Sequence, residues 1–183
     1  MVLKIVIGLG LAVAICTVLV LLIGYLLPVR HVAARAINLH KKPDDVFALV
    51  SNIENAATWR LGLHKIELLP SAEGRIRFRE VTDDGTIAYE MAERKPPARL
   101  VTRISDPKLP FGGSWIYEIS ATPEGCRLNI TERGEVYNPI FRFVTRFFLG
   151  YNRSLDKYLE SVARTFGDAA QPAEGTPADA PLG

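Results

Sequence analysis

The sequence predicts an α+β domain in which an antiparallel sheet is closed by a long C-terminal helix, the whole preceded by one transmembrane helix. Three observations predict it. An uncharged apolar run, Ile5 to Leu27, opens the chain. Successive strand-like segments with turn signals between them occupy the middle, ending near Glu135. Large apolar residues then recur at three and four positions from Phe141 to Phe166, the spacing of one helix face.

The apolar run, "IVIGLGLAVAICTVLVLLIGYLL", has 23 residues. At about 1.5 Å per residue it crosses a hydrocarbon core of about 30 Å. A cleaved leader is the rival reading, but its apolar region is shorter and is followed promptly by small residues at the cleavage site. Here "LLPVRH" follows instead. "GLGLAV" imitates the start of a dinucleotide-binding loop, yet Val13 stands where the third glycine belongs and no strand precedes it. Gly8, Ala12 and Cys16 recur every four residues, a spacing that permits a homodimer through the transmembrane helix. Lys4 precedes the run, whereas Arg30, Arg35, Lys41 and Lys42 follow it, so the positive-inside bias places the soluble domain in the cytoplasm.

At the other end "GDAAQPAEGTPADAPLG" holds one large apolar residue, Leu182, among three prolines and three acids. It lacks the apolar surface to offset the entropy of ordering and is expected to be a disordered tail. The chain thus divides into an anchor (1–28), a domain (29–166) and a tail (167–183). With 22 Lys and Arg against 20 Asp and Glu it is near neutral, and no basic surface with interleaved aromatics points to nucleic acid. Cys16 and Cys126 fall in different regions, which excludes a disulfide within the domain. The sequons at Asn129 and Asn152 matter only in a eukaryotic lumen.

Within the domain "HVAARAINLH" reads as a strand, and "KPDDVFALV" starts a helix with Pro43, Asp44 and Asp45 at its positive end. A second short helical piece, "IENAATWR", follows. "RIRFREVTDDGTIAYEMAER" is a hairpin; a two-residue turn at Asp84-Gly85 sets Phe78 opposite Met91 and Arg79 opposite Glu90. Ile76, Phe78, Tyr89 and Met91 then face inward, and Arg75, Arg77 and Arg79 outward. Either a solvated strand face or an anionic lipid surface suits that arginine row. "RLVTRI", "SWIYEIS" and "CRLNITERGEV" continue a meander, with Trp115, Tyr117 and Ile119 on one face and Cys126, Leu128 and Ile130 on one face.

Asn138-Pro139 opens the last helix. Its stripe is Phe141, Val144, Phe148, Tyr151, Leu155, Tyr158, Val162 and Phe166. Ile140, Phe143 and Phe147 form a second apolar set in the first half only. Together with Arg142 and Arg146, Phe143 and Phe147 either pack under the two short helices or touch a membrane interface.

Over residues 33–166, "KPDDVFALVSNIENAATW", "KPPARLVTRI", "GGSWIYEIS" and "CRLNITERGEV" leading into "NPIFRFV" resemble the START and Bet v 1-like superfamily, in its polyketide cyclase/dehydrase and lipid-transport (SRPBCC) branch. The resemblance implies a helix-grip fold, its curved sheet wrapped around the C-terminal helix, with an apolar cavity between them. It implies binding of lipids, sterols, polyketides or other hydrophobic small molecules, and for a minority of members catalysis. On that architecture the expected ligand-binding residues are Phe78, Tyr89, Met91, Trp115, Tyr117, Phe148 and Tyr151, unless these aromatics simply fill a core.

No catalytic residue can be assigned. His31, His40 and His64 lie beside no evident nucleophile and show no metal-ligand spacing, and are expected at surfaces or strand ends. Glu80, Glu93 and Glu132 fall on inward phases. Facing a cavity they would suit a general acid or base; at strand ends they would be solvated. No metal or cofactor is implied. The sequence therefore points to a membrane-tethered domain binding a hydrophobic molecule. A cyclase or aromatase-type enzyme and a protein-interaction module with a filled cavity are the alternatives.

Overall fold

The computed structural model describes residues 1–72 and 74–179. Helix α1 (Val2–Leu26) is long and apolar enough to cross a membrane. Strand β1 (Arg30–Leu39) follows almost at once, then α2 (Pro43–Ser51) and a single 3-10 turn (Ala56–Thr58) where a second short helix is predicted. The meander comprises β2 (Leu63–Ala72), β3 (Arg75–Thr82), β4 (Gly85–Lys95), β5 (Arg99–Ile104), β6 (Phe111–Thr122) and β7 (Gly125–Val136). Helix α3 (Pro139–Val144) runs into a π-helical turn (Thr145–Leu149), and α4 (Arg153–Thr165) and the short β8 (Ala173–Glu174) complete the chain.

All strands form one antiparallel sheet in the order β2-β3-β4-β5-β6-β7-β1-β8, so the first strand closes against the last of the meander. Alternation puts Leu100, Tyr117, Ile119, Leu128 and Ile130 on the inner face. There they bury Leu155, Tyr158, Leu159 and Val162 of α4 together with Val46, Phe47 and Val50 of α2. This is the helix-grip arrangement.

The β3–β4 hairpin departs from its predicted register. Thr82 pairs with Gly85, so the turn residues are Asp83-Asp84, Phe78 faces Tyr89, and Glu90 faces Arg77. The Thr82 hydroxyl stabilises this turn by donating to the Gly85 carbonyl (3.0 Å). A two-residue slip preserves facing, so Phe78 and Met91 remain buried, but Ile76 is half exposed, at the strand end where β2 and β3 shift register. The outward arginines find cross-strand carboxylates, Arg75 on Glu90 and Arg79 on Glu67.

The C-terminal helix is not continuous. At Gly150 the backbone takes φ +71°, a left-handed conformation that costs glycine little, and the helix breaks. Only α4 lies in the grip of the sheet. Neither Phe143 nor Phe147 packs under α2; their segment leaves the sheet beside α1, against which α3 packs.

Part of the tail is paired with the sheet where disorder was expected. Residues 168–179 cross the outer face of the sheet, held by polar pairing and not by apolar bulk. Strand β8 pairs with β1, and Asn129 clamps Thr176 twice, accepting from its N–H (3.0 Å) and donating to its carbonyl (2.9 Å). Thr131 accepts from Ala178 N–H, whose residue closes over Val101 and Ile116. Asn129 and Thr131 of the first sequon are therefore buried. Leu182 lies outside the described residues.

Asp168 fastens the start of this tail, accepting from the His40 N–H (2.9 Å) and from Ala170 N–H (3.0 Å). The His40 backbone bond, above all, holds its carboxyl below the usual range. Its contribution is therefore complete above the unfolded-state value of about 4 and is lost as pH falls through the lower folded-state value. Asp168→Asn should lower the Tm at pH 7 by roughly 2–4 °C and narrow the drop between pH 6 and pH 3, followed by thermal unfolding in detergent.

Candidate functional site

Between the inner face of the sheet, the 3-10 turn and α4 is a small cavity of about 40 Å³. Alternate positions on neighbouring strands build its wall: Phe78 and Glu80 on β3, Tyr89 on β4, Leu100 and Thr102 on β5, Trp115 and Tyr117 on β6. Tyr158 of α4, Trp59 and Arg60 close the opposite side. Trp59 and Trp115 both meet Tyr158 edge-on, at 5.4 and 5.6 Å between ring centres.

One ion pair faces this aromatic shell. Arg60 donates through both terminal nitrogens to the two oxygens of Glu80, the second bond being 2.8 Å. The side chains are 20% and 7% exposed, and the guanidinium stands 5.1 Å from the Tyr158 ring centre. Burial acts to lower the arginine's pKa, but the Glu80 carboxylate outweighs it, so the guanidinium is held charged more firmly than usual. Burial pushes the Tyr117 phenol up to about 12 and raises Tyr89 and Tyr158 as well. All three are neutral hydroxyls at physiological pH. The buried Trp59 indole N–H has no partner among the described residues.

A second polar cluster stands behind Trp115, outside the cavity lining. Glu132 accepts from Trp115 Nε1 (3.1 Å) and from the Ser154 hydroxyl (3.5 Å), and its other oxygen lies 3.2 Å from His31 Nε2. The His31 ring stacks on Tyr151 with centres 3.9 Å apart. His31 stands at the start of β1, a strand end as expected, with its ring packed and largely covered, whereas His40 and His64 are exposed beside Asp168 and Asp83.

Of the seven expected ligand-binding residues, Phe78, Tyr89, Trp115 and Tyr117 line the cavity. Met91 is buried in the adjoining core, and Tyr151 lies at the His31 cluster. Phe148 is 74% exposed, because the break at Gly150 carries it away from the sheet. Of the inward carboxylates, Glu80 and Glu132 are inside and bonded, not solvated strand-end groups. Glu93 faces outward with Lys95 and Arg99, because a bulge between Met91 and Glu93 reverses the alternation. Arg60 and Trp59 were not foreseen; an inward Glu80 that needs a cation was the available signal. A wider concavity of about 840 Å³, lined by Arg30, Arg103, Arg133 and Tyr137, is an open groove outside the space between sheet and helix.

Residues 30–167 match the family described as polyketide cyclase/dehydrase and lipid transport. The chain belongs to that family. Solved structures agree with this fold at low identity. The di-domain aromatase/cyclase StfQ from the steffimycin biosynthetic pathway has a TM-score of 0.59 at 14% identity, covering 73% of this chain and 50% of its own. Truncated norcoclaurine synthase from Thalictrum flavum has a TM-score of 0.61 at 10% identity, over 75% of this chain and 94% of its own. A START superfamily protein from Mycobacterium smegmatis has a TM-score of 0.56 at 16% identity, over 74% and 99%. This chain thus spans half of the di-domain protein and nearly all of the other two. No curated protein matches the sequence. Within this polyketide cyclase/dehydrase and lipid-transport member the helix-grip cavity is nearly filled, and its polar content is concentrated in Arg60 and Glu80.

Removing one member of that pair leaves a buried, unpartnered charge. Arg60→Leu should destabilise the domain by about 3–5 kcal/mol, and adding Glu80→Leu should recover most of the loss. Urea unfolding of the two variants in detergent checks both signs.

Proposed function

We propose that this protein is a single-pass, membrane-anchored binder of a hydrophobic small molecule or lipid, taken up in the cavity between sheet and α4. The carrying observation is the cavity wall: aromatic and apolar, with one bidentate ion pair and an unpartnered Trp59 N–H. Such a wall suits a largely apolar ligand bearing one acceptor oxygen, which would give the indole the hydrogen bond it lacks. A volume of about 40 Å³ holds about one water. A lipid-sized ligand needs about 300 Å³ or more, so uptake requires the shell to open.

Retention of α1 as an anchor is supported by its integration with the domain: Arg142 donates to the Leu27 carbonyl and Pro139 abuts Gly24. A cleaved leader would have no reason to be packed so. We place the domain (29–166) on the cytoplasmic side from the charge bias.

The small volume also favours the second reading, an interaction module whose filled cavity serves only as core. An aromatase or cyclase activity, suggested by StfQ, has less support. Both Glu80 oxygens are held by Arg60, and Glu132 already meets three partners, so neither carboxylate is a free base.

Both tryptophans of the chain line the cavity, so intrinsic fluorescence reports its occupancy. Native mass spectrometry of the detergent-extracted chain should reveal a co-purified hydrophobic molecule, and its removal and return should change tryptophan emission reversibly. A clean apo mass, with emission unmoved by a panel of lipids, isoprenoids and aromatic polyketides, would leave the filled-core reading.

A further inference from the structure

Residues 139–149 are the most apolar exposed segment of the chain outside α1. Phe147, Phe148 and Leu149 are 57%, 74% and 48% exposed, and Phe148 and Phe147 cluster with Phe143 at 6.1 and 4.9 Å between ring centres. A soluble surface does not ordinarily leave such side chains together in water.

Their place beside α1 points to what covers them. Ile140 lies against a hollow of α1 lined by Ala12, Val13, Cys16, Thr17, Val20 and Leu21. The Pro139 carbonyl sits on Gly24, where any side chain would collide with it. Arg142 is buried and donates to the Leu27 carbonyl at 2.6 Å, a cation at the negative end of the α1 dipole. Helix α3 is therefore fixed at the depth of the C-terminal half of α1. No acid occurs between Glu135 and Asp156, and the exposed Arg146 is suited to lipid phosphates at the interface.

We propose that residues 139–149 form a membrane wedge, inserted into the leaflet that holds the C-terminal half of α1, with Phe147, Phe148 and Leu149 among acyl chains. The inference rests on the reading of α1 as a membrane anchor. The wedge joins the binding domain through the Gly150 break. Tyr151 comes next and stacks on His31, and His31 shares Glu132 with Trp115 of the cavity wall. The wedge thus adjoins the side chains packed behind Trp115 of the cavity wall.

Depth-dependent quenching in the full-length chain tests this. Phe148→Cys in a Cys16→Ala background, labelled with an environment-sensitive fluorophore, is reconstituted in phosphatidylcholine vesicles with a minority of phosphatidylglycerol and quenched by acyl-brominated lipid. Cys126 is fully buried and stays unlabelled. Thr86→Cys in the same background, at the exposed hairpin, is the aqueous reference, and native Cys16 is the reference for α1. The Phe148 probe should lose on the order of half its emission, as Cys16 does, while the Thr86 probe changes little. Quenching at Cys16 with none at Phe148 overturns the wedge and leaves the anchor standing. An unquenched Cys16 probe overturns both. A Phe148 probe shielded from water yet unquenched by lipid means that protein, such as a second copy of the chain, covers the segment, which also overturns the wedge.

Discussion

The constraint on which the rest depends is the break at Gly150. With φ +71° there, no single helix can run from Pro139 to Phe166, and the apolar stripe that sequence periodicity makes continuous is cut in two. The second half, α4, gives Leu155, Tyr158, Leu159 and Val162 to the sheet. The first half is free to leave, and Arg142 ties it to the end of α1. Had the helix continued, Phe148 would have faced the cavity. Because it does not, that end of the domain is packed by smaller means, the stacked Tyr151 and His31 and the three partners of Glu132.

The Arg60–Glu80 pair is the second determinant, and its energetics bear on function. A buried ion pair is poor evidence of stabilisation, since matched apolar residues often serve a core as well or better. Here the pair sits among Phe78, Tyr89, Trp115, Tyr117 and Tyr158, where an apolar substitute would complete the packing. Bidentate geometry and the Tyr158 ring offset much of the cost of removing both charges from water. The unpartnered Trp59 N–H has no such compensation. A wall kept polar at Arg60, Glu80 and Trp59, when packing alone does not ask for it, fits recognition better than mere filling.

What was legible in the sequence was legible through periodicity. The inward phase of Phe78, Trp115, Tyr117, Cys126, Leu128 and Ile130 follows from a repeat of two, and it survives the two-residue error in hairpin register. What failed depends on single residues that reset a period. The bulge after Met91 turns Glu93 outward although its strand is correctly placed. Gly150 does the same to Phe148 within a helix. The pairing of residues 168–179 was not foreseen for a different reason: it comes from side chains of the sheet, Asn129, Thr131 and Arg133, reaching the backbone of that segment. Composition of the tail alone carries no trace of these partners. Arg60 was missed likewise, because its role is set by Glu80 across space and not by its neighbours in sequence.

A cavity of about 40 Å³ and a ligand-binding function are compatible only if a wider, open form is populated. The apparent affinity for any ligand is then the intrinsic affinity reduced by the fraction of molecules that are open. The walls differ in how readily they can yield. Those on β5 and β6 are fixed by ladder pairing, Thr102 opposite Trp115 and Leu100 opposite Tyr117. Trp59 and Arg60 stand on the irregular segment between the 3-10 turn and β2, and Tyr151 begins the chain beyond Gly150. Opening is therefore cheapest on the side formed by these connections, since moving them breaks side-chain contacts and spares the ladder. Swinging Trp59 and Arg60 outward would leave Glu80 exposed in the opened space, so a ligand of purely hydrocarbon character gains less there than one with a hydroxyl to offer it.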